Sequence, residues 1–237
     1  PAAPTLPSID PLEMMIPQGL WGIEGVVVSD DGSFSIPDPE ALDPNAPRGD
    51  RHLSGRPFTT SRQFLDAVAD RTDPIKLQLT GPITLGLALV EAGASVKTAF
   101  AVASGAVATR ARDLVALAEA RAPGVPRVVV FDEPGLVGGL RSELPLPADQ
   151  VVDVLSGALA AIEDGALTGV HVCGPADWRL IMQAGPGLLS MPLGADVTGS
   201  AGALGSYLER GGWVAWGAVP TDGPLGEHNS RYWRQLS

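Results

Sequence analysis

His171 and Cys173 stand two residues apart in "LTGVHVCGPADW", and they include the only cysteine of the chain and one of its 3 histidines. On a strand, residues two apart point to the same side, so an imidazole and a thiolate here share one space. That pair is half of a tetrahedral zinc sphere, and a catalytic zinc needs three protein ligands plus an open position. The same spacing also describes a small buried thiol beside a core histidine bonded to a neighbour. Asp132 and Glu133 close the run "VVVFDEP". A carboxylate at that point either holds an ammonium group by charge-assisted hydrogen bonds or caps the following loop. Thr84, in "TGPIT", is placed to cap the helix "ITLGLAL". The adjacent N–H groups then face a substrate carboxylate, or the cap is the whole of its role.

Residues so far apart in sequence can act together only if the fold gathers them. From about residue 60 the chain alternates regularly. The strand-like runs "IKLQLTGP", "PRVVVFDEP", "LTGVHVCG", "GLLSMPL" and "WVAWGAVP" are separated by helical stretches such as Val96 to Ala122, "ADQVVDVLSGALAAIEDG", "ADWRLIMQAG" and "SAGALGSYLERGG". Nearly continuous apolar strands with helical crossovers are the signature of a parallel sheet. The pattern predicts a (β/α)8 TIM barrel, incomplete at the termini of this sequence, with an open doubly wound sheet as the alternative. In a barrel all strand C-termini gather on one face, where active sites form. His171, Cys173, Asp132, Glu133, Thr84 and Asp222 all lie at such ends and are expected to converge. No phosphate loop is among them, since "EAGASVKTAF" lacks the Gly-Lys-Ser/Thr ending.

The expected organisation is a single domain over 1–237, with 1–59 a Pro/Gly-rich segment that carries a hairpin across Asp31-Gly32. Hydrophobic residues make up 45% and aromatics 5%, so the core is built from Ala, Val and Leu. A net charge of −11 without any basic run argues against a nucleic-acid partner. One cysteine forms no internal disulfide, and no uninterrupted apolar stretch of about 18 residues suggests a bilayer span. A cytoplasmic location, with no membrane partner, is the expectation.

In this order, "LTGPIT", "VVFDEPGL", "GVHVCGPADW" and "VAWGAVPTDG" resemble the catalytic barrel of cobalamin-independent methionine synthase, within the uroporphyrinogen decarboxylase-like superfamily. The likeness runs from about residue 75 to 222, and "LPSIDPLEMMIPQGLWGIEGV" looks like the smaller single-barrel homologues. The resemblance implies transfer of a methyl group to the thiol of homocysteine, with methyltetrahydrofolate or a methyl-corrinoid as donor and zinc as cofactor. It makes His171 and Cys173 zinc ligands and Asp132 the partner of the amino acid's ammonium, with Glu133 and Thr84 beside it at the mouth. Asp222 follows the last matched strand, where relatives place a histidine, and is left for the acid–base step.

The departures are equally specific. Met191, Pro192 and Leu193 stand where larger relatives carry a zinc-ligand glutamate, with Asp196 just beyond. No second cysteine is present, and Ala88 replaces a tryptophan that stacks on the folate pterin. Two other functions therefore stand beside methyl transfer: a barrel without catalysis that binds a small ligand or partner, and a tetrapyrrole decarboxylase.

Overall fold

The computed structural model describes residues 1–45, 51–138 and 144–217. In chain order they form helix α1 (Met15–Leu20), strands β1 (Val27–Val28) and β2 (Phe34–Ser35), helices α2 (Arg51–Ser54) and α3 (Thr59–Ala67) and strand β3 (Ile75–Thr80). Helices α4 (Pro82–Glu91) and α5 (Val96–Arg121), strand β4 (Arg127–Asp132), helix α6 (Ala148–Ala160) and strand β5 (Leu167–His171) follow. Helix α7 (Trp178–Gln183), strand β6 (Leu188–Pro192), helix α8 (Ala201–Glu209) and strand β7 (Trp213–Gly217) complete the described chain.

Strands β3 to β7 form one parallel sheet whose spatial order is the chain order. Helix α5 packs against α6, α6 against α7 and α7 against α8, so the crossovers lie side by side as a continuous layer. A doubly wound sheet reverses its strand order at a switch point, and no reversal occurs among the described strands. The outer edge of β3 takes the chain's first residues: Ala3 N donates to Lys76 O (2.8 Å) and Lys76 N to Pro1 O (2.9 Å). Strand β7 pairs only with β6 among the described residues.

Alternation along the strands gives the sheet two unlike faces. Leu77, Leu79, Val129, Phe131, Val170, Leu189 and Met191 share the face under the helices, each buried. Removing such apolar area from water is the main stabilising contribution of this layer. The other parity puts Lys76, Gln78, Thr80, Asp132, His171 and Ser190 on the opposite face, all but Thr80 half-buried.

Local signals set the helix starts. Pro82 occupies the first turn of α4, where its missing N–H costs nothing. Ser95 caps α5 by accepting from Thr98 N (3.2 Å), and Asp177 caps α7 by accepting from Leu180 N (3.1 Å). Helix α3 differs from the Thr or Ser cap that "TSRQFLDAVADR" suggests. Its N-cap is Phe58, without a side-chain bond, and Glu13 Oε1 accepts from Thr60 N (3.1 Å). The other Glu13 oxygen accepts from Leu6 N (2.7 Å), so one buried carboxylate ties the N-terminal segment to α3.

Arg110 of α5 reinforces that attachment by donating to the carbonyls of Gly19 and Trp21, while its guanidinium lies 5.6 Å from the Phe58 ring centroid. An antiparallel hairpin pairs Val27 with Ser35 and Val28 with Phe34. Gly32 turns it at φ 83°, a left-handed angle that suits glycine. Among the described residues no helix is long and apolar enough to cross a membrane.

Candidate functional site

The strand register aligns Thr80 with Asp132, Asp132 with His171, His171 with Ser190, and Ser190 with Ala215. Adjacent strands are about 4.8 Å apart, so Thr80, Asp132, His171 and Ser190 form a polar row roughly 14 Å long. The row lies at the C-terminal ends of β3 to β5 and one level below the end of β6. It brings together two of the residues singled out from the sequence, Asp132 and His171, and adds Thr80 and Ser190.

Each member of the row is held differently. Thr80 Oγ1 donates to Met15 O (2.8 Å), which fixes α1 against the end of β3. His171 Nδ1 and Ser190 Oγ share a hydrogen bond of 2.9 Å, and this orients the ring with Nε2 as its other nitrogen. Asp132 Oδ1 is buried and has no hydrogen-bond partner among the described residues. Burial pushes the Asp132 carboxyl above the usual carboxylate range, opposed by the positive charges of Lys76 and His171. Lys76 Nζ donates to Gln78 Oε1 (2.6 Å), one step along the same face toward the row.

Glu133, the next residue, faces the other way. Its carboxylate is fully buried at the start of α4, where Ile83 N donates to Oε1 (2.9 Å) and Thr84 N and Oγ1 donate to Oε2 (2.7 and 2.6 Å). The helix N-terminus considered for a substrate carboxylate thus holds an internal one. Thr84 Oγ1 in turn accepts from Gly135 N (3.0 Å), so its hydroxyl both donates and accepts within the protein. A Cβ on Gly81 would lie 2.2 Å from Glu133 Oε1, which explains the glycine of "TGPIT". Burial raises Glu133 to about 7, against the three hydrogen bonds that favour its charged form.

Cys173 follows β5 by two residues and is exposed. Soft thiolate and imidazole are the donor types zinc prefers, and a ring fixed through its second nitrogen is typical of a metal-binding histidine. The number of donors is smaller: no group of three His, Cys, Asp or Glu side chains gathers among the described residues. Met191 is buried under the helices, so its position does not open on the polar face. Asp196 Oδ1 is taken up by Thr198 N (2.9 Å) and Thr198 Oγ1 (2.6 Å). Thr221 and Asp222 lie outside the described residues.

An open groove of about 750 Å³ is linked to the Thr80 end of the row through Met15, which lines it and whose carbonyl accepts from Thr80 Oγ1; no residue of the row itself lines it. Met14, Met15, Phe34, Leu87, Ala88 and Glu91 contribute to its walls, together with Thr84 and Gly135. Sequence reasoning missed Ser190, Lys76, Thr80 and this groove. Alternation in "IKLQLT" signals Lys76, which shares a polar face with Gln78 and Thr80, and Ser190 is the one polar side chain of the apolar run "LLSMP". Nothing local signals the groove, whose walls come from α1, the hairpin and α4. No protein-family model matches this chain, and no curated protein matches it.

Proposed function

We propose that the protein is an S-methyltransferase that binds homocysteine across the polar row and forms methionine, on a (β/α)8 barrel of which β3 to β7 are consecutive strands. The observation that carries this reading is Asp132. A buried carboxylate oxygen without a donor is costly, and an incoming ammonium group would satisfy it with a charge-assisted hydrogen bond. His171 neighbours Asp132 in register, and Cys173 follows two residues later. An amino acid held at Asp132 would therefore extend its thiol along the row toward them.

In this reading His171 and Cys173 hold zinc, which supplies positive charge that keeps a bound thiol deprotonated at neutral pH. Ser190 keeps the His171 ring in place. Glu133 and Thr84 fix the β4 end against α4 and so hold Asp132 at the mouth. Asp222 is assigned the acid–base step and takes up the thiol proton. The sulfur lone pair then forms the new S–C bond as the methyl group leaves its carrier.

The donor count favours one second reading, a barrel that binds the amino acid without catalysis. A homocysteine methylation assay, with methyl-folate and methyl-corrinoid donors offered separately, distinguishes the two. Methionine formed with either donor, and lost in Asp132→Asn, supports methyl transfer. Homocysteine binding without product from any methyl donor supports the second reading.

A further inference from the structure

The groove lined by Met15 has its own chemistry. Its volume of about 750 Å³ lies within the range typical of small-molecule sites. Met14, Met15, Phe34, Leu87 and Ala88 make it apolar, and among the described residues Glu91 is the one charged residue lining it. Glu91 is exposed, and no described cation pairs with it. Among the described residues no Lys, Arg or His lines the groove, so an anionic ligand finds no counter-charge from them.

Its hydroxyls are already committed. Thr84 Oγ1 bonds Glu133 and Gly135, and Ser33 Oγ donates to Asp31 (2.7 Å). A heterocycle with several polar edges would leave groups unsatisfied in such a place, at a cost for each. A methylated cation differs, because it carries charge yet has no N–H to satisfy. The Phe34 ring and the thioethers of Met14 and Met15 are polarisable surfaces suited to it.

We propose that this groove binds an onium group, a quaternary ammonium or sulfonium on an apolar body, with Glu91 as its counter-charge.

Calorimetric titration of the full chain with phenyltrimethylammonium, benzylammonium, benzoate and methyltetrahydrofolate, without thiol or zinc, tests the site. Phenyltrimethylammonium is expected to bind most tightly. Glu91→Gln should weaken it about threefold, as for an exposed ion pair, and Ala88→Trp should abolish it without lowering the thermal midpoint. Binding of benzoate or methyltetrahydrofolate at least as tight, or full binding in Ala88→Trp, overturns the site. Tight folate binding with methionine formation would do so while leaving methyl transfer standing. Onium binding with no transfer from any donor supports the site and contradicts the methyl-transfer reading.

Discussion

Asp132 and Glu133 are joined by one peptide bond and do opposite things. Glu133 is surrounded by donors, with two backbone N–H groups and the Thr84 hydroxyl on its two oxygens. Asp132 is half-buried with one buried oxygen unmatched among the described residues, and burial pushes its carboxyl above the usual carboxylate range, opposed by Lys76 and His171. A satisfied buried acid is a structural fastening, whereas a buried oxygen without a donor calls for a partner from water, an ion or a ligand. Strand alternation makes this division: neighbouring residues face opposite sides of the sheet, one toward α4 and one toward the polar face.

Removing the Glu133 fastening should have the largest effect. Glu133→Ala strips three buried donors of their acceptor, and a loss of about 4 kcal/mol is expected in denaturant unfolding. Gly81→Ala should approach it, because the added methyl occupies the carboxylate's space. If either variant is as stable as the wild type, Glu133 is not the fastening described.

The pH dependence separates the two acids more finely. Glu133 is raised from 4.5 to about 7, so the folded state binds its proton more tightly than the unfolded state. Its contribution is fully present below about pH 4.5 and is lost as pH rises through about 7, on the order of 3 kcal/mol. The difference in unfolding free energy between wild type and Glu133→Gln should follow that window. A difference that is flat with pH would contradict the raised value.

Asp132→Asn should behave unlike any Glu133 variant. Homocysteine affinity is expected to fall about 100-fold, with unfolding free energy unchanged or raised, since a buried charge without a partner is removed. A destabilised Asp132→Asn would make the two acids alike and break the comparison. The smallest effect is expected at Ser190→Ala, which frees the His171 ring. Zinc affinity should fall about tenfold, read by competition with a chelator.

Much of this arrangement was legible in the sequence, for definite reasons. The five strands announce themselves as apolar runs closed by breaker residues, and each is found where "IKLQLT", "RVVVFD", "LTGVH", "LLSMP" and "WVAWG" stand. That "FDEP" carries one acid on each face follows from alternation. Which acid faces which side does not, because it depends on the register of Asp132 with His171 and on α4 lying behind Glu133. The attachments that span many residues were not legible either. Glu13 at the start of α3 and Pro1–Ala3 beside β3 are choices made by packing, with no local pattern to reveal them.

In the proposed function the polar face of this sheet is a thiol site with His171 and Cys173 at its metal edge. Zinc content of the purified chain, measured beside Cys173→Ser, tests it most directly. About one zinc per chain is expected in the intact protein and a large loss in the variant, since catalytic zinc sites bind near stoichiometrically. Less than about 0.1 zinc per intact chain after purification and zinc supplementation would contradict it.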